Sequence, residues 1–495
     1  MSRINHIIKT YPGFVLLLPI FFVLRGFTEY YNVIPVKDSL LLVGAYLTAA
    51  LVLIVFSWFF FRNIYKASIF SFFILAFNFF FGSIQDFIIN NFPGSFISRY
   101  SVLVLCGIVF FLALFIVLKK RNRTLYKLTQ YLNYLFLLFI VIDLLTLTYL
   151  IATQEKKNYS IRNELIPCSN CNKPDFYLII TDGYSGKQAL QEVFQFDNSG
   201  FENDLTKRGF HIIENSLSNY NFTYHSMASS LNLEYLTGID GQNSNKKDLK
   251  ICAETIKNSK TIQYLKNEGY DIFNYSIFDL DGQPSVAKPT FMQTKTKPIT
   301  SQTFLYRVQR DLWFHLITDL NLKSAKNGLV YYDFHNNNKI YSLTQKIAST
   351  KTGKPKFVYS HLVYPHYPYY FDSTGKETDY KLLENINGFA TNGKAYISYL
   401  KYCNKELIKL IDHIKASSAK PPIICLLSDH GLREFSVPVD IKYHYMNLNA
   451  VLLPDKNYSP FYNGITNINF FRVLLNTEFK QNLPMLKDSV SFIRE

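Results

Sequence analysis

Charged residues are sparse in the first third of this 495-residue sequence, and no internal repeat or low-complexity tract runs through any of it. That leaves no repeat architecture to argue from, and too little polar surface for the first third to face water. Cysteine is scarce as well, with six residues. Cys106 lies inside an apolar run and reads as inert, while Cys252, Cys403 and Cys425 are isolated, with no pairing to read. Cys168 and Cys171 stand together in CSNC. A zinc site there would need two more ligands nearby and none is evident, so in an oxidising compartment the pair reads as a local disulfide. Acidic residues also run short, 37 against 52 Lys and Arg, for a net charge of +15.

Apolar length is what the first third has in abundance. Five runs can be drawn: Phe14–Phe27, Ser39–Phe61, Ala67–Ile88, Val102–Leu118 and Leu132–Ile151. About 20 apolar residues cross a bilayer as a helix. The second, third and fifth runs meet that length and the fourth is at its short end. The first contains Pro19 and requires Arg25 to snorkel to an interface. We therefore expect residues 1–153 to form a membrane domain of about five helices. Basic residues orient it. Arg3 and Lys9 precede the first run, Arg62 and Lys66 separate the second and third, and KKRNRTLYK (Lys119 to Lys127) separates the fourth and fifth. The alternate loops, EYYNVIPVKD and NNFPGSFISR, carry one basic residue each. The positive-inside rule then puts the amino terminus in the cytoplasm, and five crossings put everything after Ile151 outside. No small-residue cleavage site follows the first run, so it is expected to stay as an anchor. The positive charge suits a polybasic inner face and a basic outer domain beside anionic lipid. Nucleic acid is not an expected partner, because the polar part lies on the wrong side of the membrane.

Residues 154–174 are charged and then turn-forming, and read as a linker. From 175 to 495 strand and helix signals alternate. DFYLIITD, FHIIEN, YDIFNYS, FVYSHLVYPHYPY and PPIICLLSD read as strands. KQALQEVFQFD, MASSLNLEYL, KTIQYLKNEG and the long AYISYLKYCNKELIKLIDHIK read as helices. The alternation predicts an α/β fold, a central mostly parallel sheet flanked by helices. In such sheets functional groups gather beyond the carboxyl ends of the strands.

Several strands deliver a polar group at that edge. LIITD ends in Asp182, and ICLLSDHG gives Asp429 and His430. FVYSHLVYPH gives His361 and then His366, and IKYHYMNLNAVLL supplies His444. One such aspartate is usually a turn or helix cap. Two, with an adjacent histidine and more imidazoles at the same edge, suit a divalent cation, zinc or manganese. NYNFTYHSMASSLN places Thr223 at a helix start, where it is either a cap or a nucleophile. His211 and His225 read as structural, Ser226 and Ser229 as packing or capping groups, and Asn404 as more structural than functional.

In this order, TDG, FTYHSMASS, HLVYPHYP, SDHG and a later histidine resemble the alkaline phosphatase superfamily, in its sulfatase-like branch. With a multi-helix anchor ahead of the catalytic domain, the chain resembles lipoteichoic acid synthases and lipid A phosphoethanolamine transferases. The resemblance implies that Asp182, Thr223, Asp429 and His430 bind one metal, with His361, His366 and His444 near the substrate. Three departures matter. Gly183 stands where sulfatases tend to have a second acid. Thr223 stands where they have the Cys or Ser that becomes formylglycine, and a β-branched threonine cannot become an aldehyde. Asp-x-x-x-His, used for a second metal, is missing, since Phe357 and Leu362 precede the two histidines. One metal site is therefore favoured, with a second open through Asp372.

The expected function is a membrane-anchored, metal-dependent transferase or hydrolase of phosphate esters in a bacterial cytoplasmic membrane, with its catalytic domain periplasmic or extracellular. It would take a phospholipid or lipid-linked donor and pass a phosphoethanolamine or phosphoglycerol type group to an envelope glycan or lipid. The alternative is a sulfatase-like hydrolase of an extracytoplasmic sulfated or phosphorylated glycan. A third reading, a membrane scaffold with an inactive domain, would require a missing ligand, and all four positions are filled.

Overall fold

The computed structural model describes residues 9–31, 33–92, 94–121, 125–153, 165–239, 246–288, 295–310, 320, 331–379, 382–383, 392–435 and 437–494. Arg3, residues 154–164 of the linker and residues 122–124 of the basic loop lie outside them. The chain packs into two compact units, Met1–Lys156 with Gln293–Leu320, and Lys157–Met292 with Asn321–Glu495.

The first unit contains helices α1 (Phe14–Glu29), α2 (Val36–Phe61), α3 (Ile64–Asn91), α4 (Tyr100–Lys120) and α5 (Tyr126–Thr153). Four of these, α2 to α5, are long and apolar enough to cross a membrane, rather than the five expected. The first run falls short because its helix has 16 residues, about 24 Å at 1.5 Å per residue against a hydrocarbon core of about 30 Å. Instead α1 is held by its neighbours. Asn133 of α5 accepts from the backbone N–H of Phe14 at 2.6 Å and donates to the Tyr11 carbonyl at 2.7 Å, capping α1 from another helix. Arg25 pairs with the buried Asp143 of α5 at 3.1 Å. Phe14, Leu18 and Phe22 pack with Phe72, Leu75 and Phe79 of α3 in the core of the bundle, while Val52, Phe56, Leu112 and Leu145 on the long helices are exposed. An apolar surface of that kind belongs against lipid.

A stretch from far along the chain completes this unit. It carries two short helices, Lys297–Thr300 and Phe304–Val308. Arg307, itself buried, makes a two-pronged bond to Asp86, both at 2.7 Å, and a third bond to Gln85 at 2.7 Å. Phe304 packs on the rings of Phe77 and Phe81. Gly82 donates its N–H to the Gln302 carbonyl at 2.8 Å, an approach that a side chain would block.

The second unit is built on a six-stranded sheet of order β2-β6-β5-β1-β4-β3. In chain order its elements are β1 (Phe176–Asp182), α6 (Lys187–Phe194), α7 (Ser199–Lys207), β2 (His211–Ile212), α8 (Thr223–Asn232), α9 (Lys246–Lys257), α10 (Lys260–Asn267), β3 (Asp271–Tyr275), α11 (Tyr332–Ser349), β4 (Lys356–Pro365), α12 (Gly393–Ser417), β5 (Ile423–Ser428), β6 (Asn449–Leu452) and α13 (Asn467–Phe479). β5, β1, β4 and β3 run parallel; β6 is antiparallel to both β5 and β2. The sheet is thus mixed, with the expected parallel centre. Every residue of β1, β4 and β5 is buried, as a parallel sheet covered on both faces requires. β1 lies between β4 and β5, so the carboxyl ends of the three strands meet at one edge. Cys168 and Cys171 form a disulfide, and Cys106, Cys252, Cys403 and Cys425 are free.

Candidate functional site

That edge brings together residues that lie up to 248 positions apart in the sequence, from Asp182 to His430. Asp182 is the last residue of β1, where the register against β4 slips by two residues. Asp429 and His430 follow β5 directly. The Asp429 N–H donates to the Thr181 carbonyl at 3.0 Å, which ties the turn to β1. One Asp429 oxygen, Oδ1, accepts from the N–H groups of Gly183 and His430 at 3.1 and 2.8 Å. Gly183 adopts a positive φ of 71° there, a conformation glycine takes without strain.

Thr223 is the first residue of α8. Phe222 occupies the capping position and makes no side-chain cap, so Thr223 is not the helix cap that its position allowed. Its Oγ1 turns to Nε2 of His430 at 3.2 Å. Nδ1 of His430 donates to the Gly431 carbonyl at 2.7 Å, which leaves a lone pair on Nε2. That same Nε2 lies 3.7 Å from Asp182 Oδ1 and 3.3 Å from Asp429 Oδ2.

His361 points into the same place from within β4. Asp182, Asp429 and His361 each offer a ligand atom, and the three atoms lie within 4.8 Å of one another. All three residues are fully buried. Nδ1 of His361 is engaged by the Tyr359 hydroxyl at 3.0 Å. Both oxygens of Asp182, Oδ2 of Asp429 and Nε2 of His361 have no hydrogen-bond partner among the described residues. Buried polar atoms are almost always satisfied, and four orphans converging on one point fit a divalent cation coordinated by oxygen and nitrogen.

The electrostatics agree. Burial, and then the charge of Asp429, pushes the Asp182 carboxyl up to about 7, and burial raises Asp429 as well. Burial takes the imidazole of His430 down to about 3 and that of His361 down to about 4. Two crowded carboxylates beside two imidazoles of lowered proton affinity suit a divalent cation.

His366 and His444 stand outside this group. Burial lowers the affinity of His366 for a proton, but the charges of Asp182 and Glu434 outweigh it and hold the imidazole above its ordinary value. His444 is lowered, chiefly by burial, and is flanked by the rings of Phe435 and Phe492. Asp372 is not in this cluster: its Oδ1 closes its own turn, accepting from Thr374 and Lys376. Ser226 donates to the Asp429 carbonyl and Ser229 to that of Ser226. Asn404 bonds to Tyr184 and Asn198, behind the site. His225 packs against Tyr220 and Phe222, and His211 stacks on Tyr458.

Sequence reasoning passed over Arg433 and Glu434. Arg433 stacks on Phe222, its guanidinium carbon 4.4 Å from the ring centre, and pairs with Glu434 at 3.7 Å. The signal was available, since both stand within three residues after SDHG, behind Leu432.

No protein-family model matches the sequence, and no curated protein matches it. Solved structures are similar to it. The C-terminal periplasmic domain of EcEptC from Escherichia coli is 14% identical, with 63% of this chain and 86% of that one covered at a TM-score of 0.38. A putative sulfatase from Bacteroides thetaiotaomicron is 14% identical, with 65% and 74% covered at a TM-score of 0.39. The integral membrane protein lipooligosaccharide phosphoethanolamine transferase A (EptA) from Neisseria meningitidis is 13% identical, with 95% and 96% covered at a TM-score of 0.37. Phosphoethanolamine transferases and sulfatases are thus the solved structures that this chain resembles.

Proposed function

We propose that this chain is a membrane-anchored transferase that moves a phosphate-ester group from a phospholipid donor to a hydroxyl of an envelope glycan or lipid, with Thr223 as nucleophile. The observation that carries this reading is the turn of the Thr223 hydroxyl away from its own helix and toward His430, Asp182 and Asp429. Asp182, Asp429, His361 and His430 would hold the cation beside Thr223. When bound, such an ion makes a neighbouring hydroxyl easier to deprotonate and offsets the charge of phosphoryl oxygens.

Thr223 Oγ1 gives up its proton to solvent and attacks phosphorus in line with the leaving oxygen; the P–O bond to the donor breaks and a phosphothreonine forms. His366, whose affinity for a proton Asp182 and Glu434 hold above its ordinary value, supplies a proton to the departing alkoxide. The amino terminus of α8 contributes favourable potential for the incoming anion. In the second half an acceptor hydroxyl gives its proton back to His366 and attacks the same phosphorus, and Thr223 leaves and regains its proton from solvent. Water in the acceptor's place would make the chain a hydrolase. Formylglycine chemistry is ruled out by the branched Cβ of Thr223.

The same reading puts the catalytic unit outside a bacterial cytoplasmic membrane. The basic residues near the α2–α3 and α4–α5 turns lie at one end of the bundle, where Lys119 donates to the Phe60 carbonyl at 2.8 Å. The positive-inside rule makes that end cytoplasmic. α5 starts there and ends opposite, so the argument does not depend on whether α1 spans.

The test is intact-mass measurement of the purified chain after incubation with phospholipid, beside Thr223→Ala. An adduct on the parent alone supports the reading and its mass gives the group carried. No adduct on either, with the phosphate-ester group of the phospholipid released to water, would favour hydrolysis.

A further inference from the structure

We propose that Arg25 and Asp143 form a headgroup site in the membrane unit, at which the Arg25 guanidinium takes the phosphate of an outer-leaflet phospholipid. This rests on the membrane topology and the lipid donor proposed above, and it gives that donor a place on the bundle.

Register comes first. Asn133 of α5 caps α1 at Phe14, and further along the same two helices Arg25 meets Asp143 at 3.1 Å. Arg25 lies 11 residues beyond Phe14 and Asp143 lies 10 beyond Asn133, about 16 and about 15 Å along their axes. The helices thus run side by side in one direction. α1 begins beside the basic α2–α3 turn, where Tyr65 donates to the Thr10 carbonyl at 2.9 Å, so Arg25 belongs to its opposite, outward end. The level is that of headgroups. A Cβ on Gly26, the next residue, would fall 2.7 Å from Cγ1 of Ile299. Ile299 belongs to the stretch whose two short helices are joined through Ser301, Gln302 and Thr303. A polar, irregular joint of that kind does not face hydrocarbon.

Chemistry gives the role. Arg307, in the same unit, closes both prongs of its fork on Asp86; Arg25 does not do so on Asp143. Its Nη1 alone reaches the carboxylate, at Oδ1, and Nε and Nη2 donate to nothing among the described residues. Oδ2 of Asp143 is buried and has no hydrogen-bond partner there either. A guanidinium held by one nitrogen keeps its other N–H groups for a further acceptor. The Arg25 side chain is 59% exposed and that of Asp143 is 2% exposed, so the carboxylate holds the cation from behind and leaves it open outward. Outward at that level of a bilayer lie lipid headgroups, and phosphate is the acceptor that paired N–H donors match. An Arg25 that only neutralised Asp143 would close its fork on both carboxylate oxygens, as Arg307 does.

The experiment measures lipid binding to the full-length chain in detergent by native mass spectrometry. The probes are phosphatidylethanolamine, phosphatidylglycerol and diacylglycerol with the same acyl chains. The parent is compared with Arg25→Gln, Arg25→Lys and the double variant Arg25→Gln/Asp143→Asn. The double variant leaves no buried carboxylate unpaired, so the test survives if Arg25→Gln fails to fold. Both phospholipids should bind the parent at least about tenfold more tightly than diacylglycerol, and Arg25→Gln and the double variant should lose about that factor. Arg25→Lys, which keeps the charge without the fork, should retain part of it. Diacylglycerol has the acyl chains and no phosphate, and should bind all four proteins alike. Phospholipid affinity within about twofold of the parent in the folded double variant, or an equal loss for diacylglycerol, would overturn the site. Binding is read without turnover, so an active Thr223→Ala would remove the nucleophile reading and leave this site standing, and failure here would leave the nucleophile reading intact.

Discussion

Oγ1 of Thr223 lies 3.2 Å from Nε2 of His430, although the two residues are 207 positions apart. The helix has no side-chain cap, and the Thr223 hydroxyl instead meets the lone pair of a buried imidazole. The same nitrogen faces both Asp182 and Asp429.

If that hydroxyl is the nucleophile, Thr223→Ala lowers phosphodiester turnover by at least about a thousandfold while zinc content and melting stay near the parent. Thr223→Ser keeps a measurable fraction. Steady-state rates across the three proteins check this, and an active Thr223→Ala would sink the reading.

His361 and His366 are predicted to separate. His361→Ala removes a nitrogen from the orphaned cluster and should reduce bound zinc in step with activity. His366→Ala should leave bound zinc intact and lower kcat by about a hundred- to a thousandfold. Metal analysis of the two purified variants distinguishes these outcomes, and equal zinc loss in both would refute the division of roles.

The carboxyl of Asp182, pushed up to about 7 by burial and by Asp429, sets a pH dependence. A raised acid holds its proton in the folded chain after the unfolded chain has released it. The ion-free protein therefore loses stability as pH rises from the ordinary carboxylate range through about 7. A bound cation cancels that penalty, so the rise in melting temperature on adding zinc should be larger at about pH 8 than at about pH 5.5. Equal or reversed shifts would contradict it.

Gly431→Ala is expected to cost about 2–3 kcal/mol, because its Cβ would meet two backbone carbonyl oxygens and not a movable side chain. Turnover should fall with it, since the turn that carries His430 must shift. A variant with the melting temperature and rate of the parent would show that the turn is not pinned.

In the membrane unit, Asp86→Ala leaves Arg307 buried with only part of its hydrogen bonding. The expected loss is about 2 kcal/mol, less than for a fully buried pair, because Asp86 is 44% exposed. Gly82→Ala should cost at least as much, its Cβ lying 2.7 Å from the Gln302 carbonyl oxygen. Unfolding of the full chain in mixed micelles measures both, and no change in either would remove the 295–310 segment from the stability of the bundle.

The long helices of the bundle were legible because a bilayer imposes a length and an apolar surface that composition alone records. β1, β4 and β5 were legible for a related reason: a strand buried on both faces is a continuous apolar run. Even the helix at Thr223 was in the sequence, though begun four residues late at Met227 and carried past Leu233, where the chain turns left-handed. β2 shrank from the six residues of FHIIEN to two, since edge pairing depends on a partner strand and not on apolar content.

Local pattern determined five of the six strands and four of the helices of the second unit, and the polar residues that end β1 and β5, because those follow from periodicity and backbone preference within a few residues. Only the tertiary structure decided that α1 stops short and is capped by Asn133, that Arg307 returns from far along the chain to Asp86, and that His361 joins Asp182 and Asp429. Each is a contact between residues on different elements and far apart in the chain, set by strand order and helix packing, to which short-range chemistry in the sequence is blind.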